Sequence, residues 1–226
     1  MDTHYLYGAA VQGIQSFIFQ TNMMKDIVGA SELIKSICDE KFQELFKAKG
    51  VEYRESCCVL HAAGNIKYIF DSRIDCEKIV REFPKVVAEY APGITLSQAV
   101  VNFNDKDFAS AVSLLESRLH EQRNKPLNAL SIGLMGIKRS SQTGLPIVDD
   151  DFDQATIAKR NAINNYELCN DAFGKLNVTK GTCYGNIEKI PSKNDWIAVI
   201  HADGNGLGQV VRKIGGNKED YGIVSK

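Results

Sequence analysis

SCCVLHAAGNIKYIFDS, residues 56 to 72, sets two apolar runs on either side of Gly64 and Asn65. Gly and Asn tolerate positive φ, so the stretch predicts a tight β-hairpin with AAGN at its tip. On its N-terminal side lies KDIVGASELIKSICDEKFQELFKAKG (25–50). There Ile34, Ile37, Phe42, Leu45 and Phe46 recur at helical spacing, with Ser31 as the expected cap and Gly50 as the stop. On its C-terminal side DCEKIVREFPKVVAEYA (75–91) predicts a second helix, distorted at Pro84.

Further out, HYLYGAAVQGIQSFIF (4–19) reads as a strand, a break at Gly13 and a second apolar stretch. GITLSQAVVNF (93–103) reads as a strand, and DKDFASAVSLLESRLHEQRNK (105–125) as a third helix with Asp105 or Asp107 near its start. The order β, α, ββ, α, β, α is that of an α+β, ferredoxin-like sheet with helices on one face, the plan of polymerase and nucleotidyl cyclase palms. The reading divides the chain into a first palm-like domain over 1–125, whose hairpin is acid-free, a connector with a helical segment over 126–193, and the start of a second palm over 194–226.

The 226 residues include 44% apolar side chains, enough for a core. With 27 basic and 28 acidic residues the formal charge is -1, so there is no global field to attract nucleic acid, and any such contact needs a local patch. The six Cys show no C-x-x-C spacing, which argues for buried free thiols over a zinc knuckle or a disulfide framework. Neither a signal peptide nor a membrane span is recognisable, and the expected location is cytoplasmic, with no membrane partner. In the connector, Asp149, Asp150, Asp151 and Asp153 precede a helical stretch, ATIAKRNAINNYELCNDAF, and read as an acidic loop or helix start, since neighbouring Asp side chains diverge.

WIAVIHADGNGLGQVVRKIG (196–215) is an apolar run ending on Asp203 and followed by a glycine loop. Gly204, Gly206 and Gly208 give G-x-G-x-G, not the G-x-G-x-x-G of a dinucleotide fingerprint, and residue 224 is Val where a ribose-binding acid would stand. Two readings stay open. One is a glycine-rich strand-to-helix turn with an exposed Asp. In the other, Asp203 is a metal ligand at a strand end and the loop leaves room for a triphosphate. His201 shares the Asp203 face of that strand; His61 flanks the AAGN tip in the same fashion and reads as structural. Lys226 falls where a helix should be under way and reads as a truncation point.

GIQSFIF (13–19) and GASELI (29–34) near the start, with IAVIHADGNGLG (197–208) near the end, resemble the large polymerase-like, twin-palm subunit of type III CRISPR effector complexes, a family that makes cyclic oligoadenylate from ATP. AAGN resembles the first palm's hairpin, where a Gly-Gly turn usually stands, and RSSQTGLP (139–146) lies where many relatives carry a Cys-containing zinc segment; Ser140 and Ser141 replace any such ligands here. The resemblance implies a nucleotidyltransferase of an antiviral defence system, with ATP as substrate and Mg²⁺ (or Mn²⁺) as cofactor. Asp203 would be the catalytic metal ligand, while Gly204, Asn205, Gly206 and Gly208 would shape the phosphate pocket. Gln15, Gly64 and Asn65 become candidate palm-contact residues. Implied partners are other effector-complex subunits and guide or target RNA. One strand-end Asp cannot hold two metals, so residues 1–226 alone are expected to be inactive. The alternative is a non-catalytic palm scaffold or nucleotide-binding subunit.

Overall fold

A computed structural model describes residues 3–62, 64–104, 107–125 and 136–163. Four strands, β1 (His4–Gln12), β2 (Cys58–Ala62), β3 (Asn65–Phe70) and β4 (Thr95–Phe103), form a sheet in the order β2-β3-β1-β4. The pairs are antiparallel throughout. This is the ferredoxin-like arrangement, in which the first strand is central and the hairpin lies to one side. β1 is central because it can be. Residues 6 to 11, LYGAAV, are all buried, so both of its faces meet protein.

The hairpin forms where the turn residues predict it. Ala62 pairs with Asn65 across a two-residue tip, and Gly64 takes φ +80°. A bulge between Cys58 and Leu60 interrupts the outer strand, whereas β4 keeps an unbroken register with β1 from Thr95 to Phe103.

The helices α1 (Ile14–Ile18), α2 (Met24–Ser36), α3 (Phe42–Ala48) and α4 (Arg73–Tyr90) are joined to one core on the Tyr7, Ala9 and Val11 face of β1. α5 (Phe108–Arg123) covers the opposite face, packing Ala111, Leu115 and Leu119 against Leu6, Ile69 and Val101. The expectation of helices on one face is therefore corrected. The cause is legible in β1, whose residues are apolar or small at both parities. Gly8 admits the second layer, since a Cβ there would lie 2.7 Å from Leu115 Cδ2.

The helix read over 25–50 also differs from expectation. α2 starts seven residues before Ser31, at Met24, and Ser31 sits inside it with its Oγ donating to the Ile27 carbonyl. A π-turn over Ile37–Lys41 then links α2 to α3, which ends before Gly50 at φ +64°. α4 runs through Pro84 as one helix, capped by Ser72. Pro84 has no N–H for the Val80 carbonyl four residues back. Gln98 Nε2 donates to that carbonyl at 2.8 Å, and Gln98 Oε1 accepts from the buried Tyr7 hydroxyl at 3.1 Å. β4 thus supplies the hydrogen bond that proline removes.

Within the region read as a connector, β5 (Ile147–Asp149) and β6 (Phe152–Asp153) form a short hairpin, followed by α6 (Gln154–Ala162), which packs along α2. Asp153 caps α6 by accepting from Thr156 N at 3.0 Å, in keeping with the acidic helix start read from the sequence. Asp150 and Asp151 adopt positive φ, and Lys138 pairs with Asp151. The strand expected at 196–203 and the rest of the expected second-palm start over 194–226 lie outside the described residues. Among the described residues no helix is long and apolar enough to cross a membrane.

Candidate functional site

The end of the sheet where β1 gives way to α1 brings together the predicted palm-contact residues. Gly13 occupies the left-handed region at φ 66°, ψ 26°, so the chain turns abruptly and α1 starts at once, with Phe17 N bonded to the Gly13 carbonyl at 2.8 Å. Gln15 lies exposed on α1. The Gly64 carbonyl accepts from Val11 N at 2.8 Å, fastening the hairpin tip to the end of β1. A Cβ on Gly64 would stand 2.7 Å from Ile14 Cδ1 and 3.3 Å from Val11 Cβ, so the tip and the turn touch at van der Waals distance. Asn65 is exposed beside them, opposite Ala10.

The π-turn supports this end from below. Cys38 is buried there, and burial pushes its thiol up to about 12, with the Gly64 backbone opposing and Asp39 adding to the shift. Asp39 Oδ1 also lies 3.4 Å from His61 Nδ1 on β2. The His61 imidazole is half-buried there, in line with the structural role read for it.

Chemically the corner offers glycine backbone, two exposed carboxamides and no acid at the tip. Among the described residues no group of three or more His, Cys, Asp or Glu could hold a metal ion. The donor set therefore does not fit a divalent cation by itself. Asp203, Gly204, Asn205, Gly206 and Gly208 all lie outside the described residues. Among the described residues Cys38, Cys57 and Cys76 are buried and free, as the spacing led one to expect, whereas Cys58 is free but only half-buried.

Sequence reasoning missed three residues of the same corner. Phe19 is 65% exposed, and Met23 and Met24 follow it on the surface between α1 and α2. Their clustering in FIFQTNMM was the available signal, hidden because the stretch reads as core from composition alone.

No known family's sequence profile matches the chain, and no curated protein matches it. Solved structures do overlap with it. The Csm1-Csm4 cassette in complex with pppApApA aligns at TM-score 0.47 and 19% identity, covering 67% of this chain and 24% of that one. The same cassette in complex with pppApA aligns at TM-score 0.45 and 18% identity, and in complex with cA3 at 0.43 and 19%, each covering 54% of this chain and 19% of that one. The chain thus spans a quarter or less of those proteins.

Proposed function

We propose that residues 1–125 are the acid-free palm of a twin-palm nucleotidyltransferase belonging to a CRISPR-related antiviral defence complex, with the chemistry seated in the second palm. The observation that carries this reading is the corner itself. A ferredoxin-like sheet presents its β1–α1 turn and its hairpin tip together, and the tip offers Gly64 and Asn65 in place of carboxylates. Such a palm can shape and support a nucleotide site without holding the metal. Exposed Gln15, Phe19, Met23 and Met24 fit a contact surface for the other palm.

In this reading ATP is the substrate, an oligoadenylate the product, and other effector subunits and guide or target RNA the partners, in the cytoplasm. Mg²⁺ or Mn²⁺ would rest on Asp203 and on further carboxylates outside the described residues. Gly204, Asn205, Gly206 and Gly208 would let backbone N–H groups approach the phosphates.

The test is incubation of the full-length protein with labelled ATP and Mg²⁺, with and without RNA. Oligonucleotide products that disappear in Asp203→Asn, with the melting temperature unchanged, support the reading. Full activity in a folded Asp203→Asn variant overturns the metal role, because Asn serves a helix cap almost as well as Asp but cannot offset the cation's charge. The acid-free tip favours one rival, a scaffold that holds nucleotide without turnover. Saturable ATP binding with no product would select it.

A further inference from the structure

We infer that α6 is a clasp that sets the position of α1, the helix that follows the β1–α1 turn, with Lys159 as its positioning residue. Lys159 is 0% exposed, and among the described residues no carboxylate pairs directly with its ammonium. Instead Nζ donates to the Phe17 carbonyl at 2.6 Å and to Gln20 Oε1 at 3.0 Å, and it stands 4.2 Å from the centre of the Phe17 ring. All three contacts belong to α1 or the residues just after it. Burying a lysine among neutral partners is costly, and an apolar side chain of similar length would fill the space at lower cost. Stability alone therefore does not account for the residue. A directional bond to one backbone carbonyl of α1 does.

The surroundings agree. Asp26, also 0% exposed, accepts from Thr21 Oγ1 at 2.8 Å and from Arg160 Nε at 3.0 Å, so the next residue of α6 grips the start of α2. The two helices cross with backbones in contact. A Cβ on Gly29 would collide with the Lys159 carbonyl, a backbone group that cannot swing away. At the front of α6, Asp153 gathers Thr143 Oγ1 and Thr156 Oγ1, each at 2.8 Å. The charged groups around the ammonium are therefore Asp26 and Asp153, with Arg160 beyond Asp26, and burial outweighs the two acids and pushes the lysine below its ordinary value.

The clasp matters to function through the proposed role of the corner, on which this step rests. Gly13 to Gln20 leads from the hairpin contact to the exposed Gln15 and Phe19; α2 packs against it, and α6 pins it through Lys159. The experiment is amide hydrogen exchange on the whole 226-residue chain, comparing wild type with Lys159→Met, Gly29→Ala and, as a milder change, Gln20→Ala. Exchange within residues 14–20 should rise about tenfold or more in the first two variants, the loss expected for one released hydrogen bond, and less in the third. Exchange in α5 should stay at the wild-type rate, which a general loss of stability would not allow. Unchanged protection of 14–20 in Lys159→Met and Gly29→Ala overturns the clasp. Should those two unfold, the same comparison on Gln20→Ala decides, with unaltered protection again counting against it. Nucleotide affinity of the full-length variants is read separately. Raised exchange with unaltered affinity keeps the clasp and removes the corner from the nucleotide site.

Discussion

The two faces of the sheet are built on different principles. The face under α2, α3 and α4 is aromatic. Phe42 lies 5.0 Å from Phe46, 5.1 Å from Phe83 and 6.0 Å from Tyr68, while Tyr7 and Phe70 complete the cluster, mostly in edge-to-face contact. The face under α5 is aliphatic over its centre and shallow there, with Leu115 resting on Gly8. Large rings fill the space left by several helices meeting at angles, whereas one helix can approach a sheet closely only where side chains are small. One layer is held by volume and the other by proximity.

That contrast can be broken most forcefully at Phe42. Phe42→Ala should cost about 3–5 kcal/mol, because no neighbouring ring can fill the space it vacates. Urea unfolding measures it, and a loss below about 1 kcal/mol would mean the aromatic face is not close-packed.

On the other face the sensitive change adds atoms. Gly8→Ala should cost about 1–3 kcal/mol by pressing on Leu115. In a Leu115→Ala background the same Gly8→Ala change should cost much less, and a double-mutant cycle without coupling would show that close approach is not what holds α5.

A smaller effect is expected at the polar seam inside the aromatic face. Gln98→Ala strands both the Val80 carbonyl and the Tyr7 hydroxyl, at about 1–2 kcal/mol. Pro84→Ala restores an N–H for Val80, so the Gln98→Ala penalty should shrink in that background; an equal penalty would show that Gln98 serves only Tyr7.

The smallest effect belongs to a contact on neither face. Burial raises the Asp153 carboxyl, but hydrogen bonds from Thr143 and Thr156 outweigh that and hold it below the ordinary carboxylate value. Its stabilisation is present above that ordinary value and lost as pH falls through the lower folded one. Asp153→Asn keeps a capping oxygen but not the charge, so it should lose that pH-dependent part of the stability at neutral pH, approach wild type in acid, and make acid unfolding less steep below the usual carboxylate range. An acid limb identical to wild type would remove Asp153 from the pH response.

Most of the element order was legible because each signal was local. Gly64–Asn65 announced the hairpin, Gly50 the end of α3, and the apolar spacing of 34 to 46 a helix. What escaped was set by partners distant in sequence. Ser31 looks like a cap until Met24 to Ala30 is known to pack on α6, and the helix read through Pro84 does not reveal that Gln98 answers for the missing N–H. The second helical layer was written in the parity of LYGAAV, where no position is polar, but a single strand does not say which helix will cover it. At the candidate site Gly64, Asn65 and Gln15, named from the sequence, lie at the hairpin tip and on the helix after the turn. The clasp was not foreseen, since Lys159 and Gly29 are ordinary residues in isolation and meet across 130 positions of chain.

Cys38, sealed beneath the Gly64 tip with its thiol held at about 12, makes the corner its own chemical clock. A closed tip shields the sulfur, and a suppressed thiolate makes it inert even to small alkylating reagents. Any event that lifts the hairpin off the π-turn exposes the thiol and restores its ordinary acidity, so the alkylation rate counts openings. Followed by mass spectrometry at that one site, with Cys76, buried elsewhere in the same core, as the reference for global unfolding, the native sequence reports the dynamics of this corner without an added label.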